Sequence, residues 1–187
     1  MNISILIGLA ALVVTITVII YNVIVAKKQM VDNGWADIDV QLKRRADLIP
    51  NLVEVVKGYA SHERDTLEEI IETRNRVLGS DEQSKAREEG ETSISRGLTR
   101  LFALAEAYPD LKANEQFLSL QEQLSKTEDE ISFARRFFNG AVREYNTAIK
   151  SFPSNLLAAP LGFKEAQFFE IEPVDRLLPG VGLGPDQ

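Results

Sequence analysis

Few side chains in this sequence could do chemistry, and their spacing argues against most reactions. The chain has one histidine, His62, and no cysteine. Without thiols there are no disulfides, thiolate zinc sites, iron–sulfur clusters, cysteine nucleophiles or lipidated cysteines. His62-Glu63 could open an H-E-x-x-H zinc motif, but Thr66 stands where the second histidine is needed. Di-iron bundles need Glu-x-x-His on two helices, which one histidine cannot supply. A serine triad lacks its G-x-S-x-G elbow, and His62 is expected on a charged helix face. No glycine-rich phosphate loop occurs. Carboxylates remain: Glu68, Glu69 and Glu72 share a helix face, as do Glu88, Glu89 and Glu91 approximately, and either set could bind magnesium. Acidic faces are more often only solvated surface. The sequence thus predicts no catalytic residue, no cofactor and no metal ligand, with a carboxylate–metal enzyme as the least favoured reading.

Arg45 is the charge that stands out. It falls on an apolar helical seam, where burial demands an acidic or carbonyl partner. Asp39, Lys43, Arg44 and Asp47 surround it in sequence, so a polar cluster is expected there. A salt-bridge network that fixes helix register is favoured over a recognition spot.

Composition limits the partners. The formal net charge is −7, and residues 1–26 carry no charged side chain. An acidic domain without a basic stripe is a poor nucleic-acid binder. The clusters Lys43-Arg44-Arg45 and Arg135-Arg136 are short and lie among acids. After the first 26 residues the chain is long enough to bury about 70% of its unfolded surface.

Ile3–Val25 is 23 residues without a charge. As a helix it extends about 34 Å, enough to cross a hydrocarbon core of about 30 Å. Ile3, Leu6, Leu9, Leu12, Val13, Ile16, Ile19, Ile20, Tyr21 and Val25 supply the apolar surface, with Tyr21 near the interface. A cleaved signal peptide fits badly. No basic residue precedes the run, the run is too long, and no small-x-small site follows. Lys27-Lys28 come directly after, which places the C-terminal part in the cytoplasm and the N-terminus outside.

Beyond the anchor, apolar residues recur at steps of four and three: Val31, Trp35, Ile38, Leu42, then Ile49, Leu52, Val56 and Tyr59. The stripe resumes less cleanly at Leu67, Ile70 and Val77. Pro50 cannot donate to the carbonyl of Ala46, so a kink or break is expected at Asp47–Pro50, and the unbroken period favours a kink in one long helix. Gly79-Ser80-Asp81 ends this unit, with Ser80 or Asp81 as the next N-cap. A second stripe runs Ile94, Leu98, Leu101, Ala105, Tyr108, and Pro109 stops it. The third runs Phe117, Leu120, Leu124, Thr127, Ile131, Ala134, Phe138, Ala141, Tyr145, Ala148 and Phe152, and Pro153 ends it. No strand-like alternation occurs.

The expected fold is all-α: a transmembrane helix at residues 1–26 continuing into an elongated antiparallel bundle of three to four long helices at 27–152. Helices of 30–40 residues make a rod some 45–60 Å long. An irregular tail at 153–187 holds five of the seven prolines. Its Phe163, Phe168 and Phe169 favour a strap docked on the bundle or on a partner over a loose tail.

The run Trp35-Ala36-Asp37-Ile38-Asp39-Val40-Gln41-Leu42-Lys43-Arg44-Arg45-Ala46-Asp47-Leu48-Ile49-Pro50-Asn51-Leu52-Val53-Glu54, continued by Val56-Lys57-Gly58-Tyr59-Ala60 and His62-Glu63, resembles the LemA family. So do Tyr21-Asn22, Phe137-Phe138-Asn139, Tyr145-Asn146, Phe152-Pro153-Ser154-Asn155 and Phe168-Phe169-Glu170. The resemblance covers nearly the whole chain. It implies a bacterial inner-membrane protein with a cytoplasmic antiparallel helical bundle and no established enzymatic activity, so it assigns no site roles. The segment after Phe169 looks particular to this chain.

The favoured expectation is a membrane-tethered scaffold that meets the lipid bilayer, self-associates and binds membrane protein partners. A signalling adaptor working through the kink at Pro50 is the alternative. Gly8, Ala10 and Ala11 could support helix packing in the membrane. The residues expected to build or present contacts are Trp35, Asp39, Arg44, Arg45, Asp47, Pro50, Tyr59, Phe138, Tyr145, Phe152, Phe168 and Phe169.

Overall fold

A computed structural model describes residues 3–81 and 84–170, so the end of the irregular tail, 171–187, lies outside the described residues. The described chain is helical, without strands. Helix α1 covers Ile3–Tyr59, α2 Arg64–Leu78, α3 Lys85–Ala105, α4 Pro109–Lys112, α5 Glu115–Lys150 and α6 Asn155–Ala158. Two compact units share the two longest helices: of the described residues, one holds 3–41 and 130–169, the other 42–81, 84–129 and 170.

In the first unit, α1 begins with a stretch of mean hydropathy 2.9, none of it buried. Thr15 and Thr17 satisfy their hydroxyls on the carbonyls of Ala11 and Val13, both at 2.9 Å, which suits a helix without water around it. Further along, α1 pairs antiparallel with α5: Lys27 reaches Glu144 at 3.0 Å, and Gly34 lies against Phe137 and Phe138. A Cβ at Gly34 would stand 3.2 Å from the Phe138 Cα, so the absent side chain permits this approach.

In the second unit, α1, α2, α3 and α5 bury Ile49, Leu52, Ile70, Leu101, Phe117 and their neighbours in one core. Helices α2 and α3 form an antiparallel hairpin. Gly97 faces Ile70, and Gly90 faces Val77, so glycines one heptad apart meet aliphatic residues one heptad apart. Any side chain at Gly90 would collide with Val77. Phe102 and Phe117 meet edge-on at 6.2 Å.

Three local expectations change. One helix runs through Pro50, as the unbroken period favoured, but it ends at Tyr59 rather than near Gly79, so the stripe from Val31 to Val77 belongs to two helices divided at residues 60–63. His62 is therefore an exposed turn residue, not part of a helix face. The N-cap of α3 is Ser84, whose Oγ accepts from the Arg87 N–H at 3.2 Å, rather than Ser80 or Asp81.

The α5 seam follows the expected heptad from Phe117 to Tyr145 and then slips by one residue. Val142 and Ile149 are buried, Ala148 is half-buried and Phe152 is 80% exposed beyond the helix end. A straight α-helix lags a strict heptad by about 20° per repeat. Over five heptads that lag approaches one residue, so the later neighbour takes the buried place.

Candidate functional site

Arg45 is fully buried and sits at the centre of a polar network in the second unit. Its Nη2 donates to Glu91 Oε2 at 2.6 Å and to the Glu91 carbonyl at 3.3 Å. Its Nη1 donates to Glu128 Oε2 at 2.6 Å and to Ser95 Oγ at 2.7 Å. Arg87 Nε donates to Glu91 Oε1 at 3.3 Å, and Ser95 Oγ lies 3.2 Å from Glu128 Oε1. Burial works against the guanidinium charge, but the fields and hydrogen bonds of Glu128 and Glu91 outweigh it and raise the Arg45 pKa above its ordinary value. Arg45 is therefore a permanent cation that ties α1 to α3 and α5.

The partners come from distant helices rather than from the surrounding charges in sequence. Arg44 is exposed and Asp39 half-buried. Asp47 is exposed and lies 3.7 Å from Arg74. Glu91, considered for magnesium, instead turns inward with each carboxylate oxygen held by an arginine. Glu68 and Glu69 pair with Arg64 and Arg100. Among the described residues, no group of three or more His, Asp and Glu side chains converges as a metal site.

Pro50 has its own compensation. Its missing N–H would leave the Ala46 carbonyl without a helical donor. Arg74 Nε on α2 donates to that carbonyl at 2.8 Å. The guanidinium thus replaces the bond that proline removes, and α1 stays helical through residue 50.

In the first unit, the chain after α6 returns along α5. Asn146 grips the strap at Ala166, with Nδ2 donating to its carbonyl and Oδ1 accepting from its N–H, both at 2.9 Å. Asn139 does the same at Phe169, with both bonds at 3.0 Å. The Tyr145 hydroxyl donates to the Lys164 carbonyl at 2.9 Å. Phe169 is buried edge-on against Trp35 at 5.1 Å, and Phe138 contacts the same indole at 5.7 Å. Phe168 remains exposed. Sequence reasoning named Trp35, Phe138, Tyr145 and Phe169 but gave no role to the asparagines. Their heptad spacing on α5 was the available signal.

Tyr59 is exposed, and its hydroxyl accepts from Asn114 Nδ2 at 3.0 Å. Of the anchor residues, Ile20 is half-buried, while Ile3, Leu6, Leu9, Leu12, Val13, Ile16, Ile19, Tyr21 and Val25 are exposed. Beside the Arg45 network, a cavity of about 230 Å³ is lined by Leu98, Phe102, Leu124, Ser95 and Glu128. Small-molecule pockets usually start near 300 Å³. The arrangement positions helices and a strap, and its ionisable groups are engaged with one another.

These features define an all-helical protein with one membrane-length apolar stretch and a bundle held by buried ion pairs. The family model of the LemA family matches residues 34–182, and the chain belongs to that family. The match begins after Tyr21-Asn22. It continues through 170–182, so that segment, set apart above as particular to this chain, is shared with the family. Similar proteins include magnetosome protein MamQ of Magnetospirillum gryphiswaldense, 26% identical over 89% of this chain and 71% of the relative. Protein LemA of Metamycoplasma hominis is 26% identical over 83% of this chain and 71% of its own. Magnetosome protein MamQ 2 of Paramagnetospirillum magneticum is 27% identical over 82% of this chain and 65% of its own.

Proposed function

We propose that this chain is a membrane-anchored helical scaffold that self-associates and presents its bundle to protein partners, without catalysis of its own. The observation that carries this reading is α1. One helix joins an exposed, charge-free stretch of membrane length to a seam that helps build both units. The buried ionisable groups serve packing: Arg45, Arg87 and Glu91 are spent on each other. Relatives named as LemA and as magnetosome proteins align over most of the chain, which favours a role carried by the shared framework rather than by one reaction. Lys27-Lys28 favour a bundle in the cytoplasm of a bacterial inner membrane.

In-cell crosslinking of the intact protein tests the reading. It predicts crosslinks between copies or to a defined membrane protein, and reporters fused to the C-terminus active only in the cytoplasm. An exclusively uncrosslinked chain, or a reporter active only outside, contradicts it.

A further inference from the structure

A second charge-free stretch lies far from the first in sequence. Ser151–Phe163 is 13 residues without Asp, Glu, Lys or Arg, and Lys150 and Lys164 frame it. In the first unit this stretch packs beside the end of the α1 span. Phe163 meets the Tyr21 ring at 5.8 Å, and Ile24 is fully buried. Yet three of its large apolar side chains face away from protein: Phe152 is 80% exposed, Leu156 63% and Leu161 46%.

Water is a poor medium for this tip, whereas the backbone suits a drier one. The N–H groups of 155–158 and 161–163 donate to carbonyls inside the tip, and Pro153 and Pro160 have none to satisfy. Chain at membrane depth must meet its own hydrogen bonds in this way. Thirteen residues are too few to span a bilayer, and with seven apolar side chains among polar ones the stretch suits an interfacial position. Tyr21 suits the headgroup level, because tyrosine favours that zone. From Ile3 to Ile20 the helix still supplies about 27 Å of apolar length toward a core of about 30 Å. The Lys150–Glu165 pair at 2.7 Å and the Lys27–Glu144 pair at 3.0 Å then fall on the aqueous side.

We propose that Ser151–Phe163 is a second membrane-contacting element, seated in the headgroup–acyl boundary beside the α1 span with Phe152, Leu156 and Leu161 in lipid. Insertion of such apolar segments typically reaches about 5–10 Å into that boundary. The proposal rests on the reading of Ile3–Val25 as a membrane span.

The native chain is free of cysteine, so single spin labels can be placed on the full-length protein in phosphatidylcholine–phosphatidylglycerol vesicles. The variants are Phe152→Cys, Leu156→Cys, Val14→Cys and His62→Cys. All four positions are exposed, so labelling displaces no core side chain. Collision with oxygen and with a water-soluble nickel chelate reports depth. Labels at 152 and 156 are expected to be several-fold less accessible to the chelate than at 62, and shallower than at 14. Chelate access at 152 and 156 equal to that at 62, with position 14 in lipid, overturns the proposal and leaves the span standing. Water exposure at position 14 overturns the span and the proposal together.

Discussion

Replacing Arg45 by Met keeps most of the side-chain volume and removes the charge at the centre of the buried network. Breaking one side of a buried ion pair costs about 3–5 kcal/mol, mainly because the remaining charge is stranded. Two details place Arg45→Met near the lower end. Glu91 keeps Arg87 at 3.3 Å, and the Glu128 side chain is 40% exposed and can turn to water. A loss of about 3 kcal/mol, at roughly 2–4 °C per kcal/mol for a chain of this size, lowers Tm by about 6–12 °C. Helical circular dichroism of the full chain in mild detergent reads it. Glu91→Gln removes the same Arg45–Glu91 contact, so the double variant is expected to lose less than the sum of the two single variants, with a coupling on the order of 1–3 kcal/mol. Arg45→Lys is expected to remain well below wild type, because an ammonium cannot reach both carboxylates as a planar fork. A Tm drop below about 2 °C for Arg45→Met, or additive single and double variants, refutes the network as a stabilising core.

Other perturbations test the remaining contacts. Arg74→Met is expected to cost on the order of 1–2 kcal/mol in wild type and much less in Pro50→Ala, where residue 50 can donate to Ala46 itself; a thermal double-mutant cycle measures the difference. Asn139→Ala with Asn146→Ala removes four bonds to the strap and is expected to make residues 164–170 cleave faster under limited proteolysis while the helical signal persists. Burial, with Asp32 adding to it and Lys28 opposing it, raises the Tyr145 pKa above its ordinary 10.0. The unfolded phenol then ionises first, so stability falls as pH climbs through and beyond about 10, and Tyr145→Phe is expected to flatten that part of an alkaline melting series.

Periodicity made the helices, the exposed span and most of the seam readable, because a buried stripe leaves the same 3-4 spacing wherever the chain goes. Arg45 was visible as a charge on that stripe. Its partners were not, since Glu91 and Glu128 lie 46 and 83 residues away and only the packing of three helices brings them together. One long helix through Pro50 was readable from the unbroken period, but what sustains it was not. A helix-breaking residue can be offset by a tertiary donor, here Arg74, and nothing local to residue 50 signals it. The true break at 60–63 carries no proline, and only Gly58 and the acidic start of α2 hint at it. Phe152 continued the heptad on paper, but a straight helix drifts off a seven-residue repeat, and α5 ends before it.

Self-association of an anchored bundle is the claim on which the functional account turns. Native mass spectrometry of the full-length chain, released from mild detergent at micromolar concentration, tests it most directly. Complexes of two or more copies, alone or with a stoichiometric membrane protein, are predicted. A chain found only as a bare monomer would contradict the account.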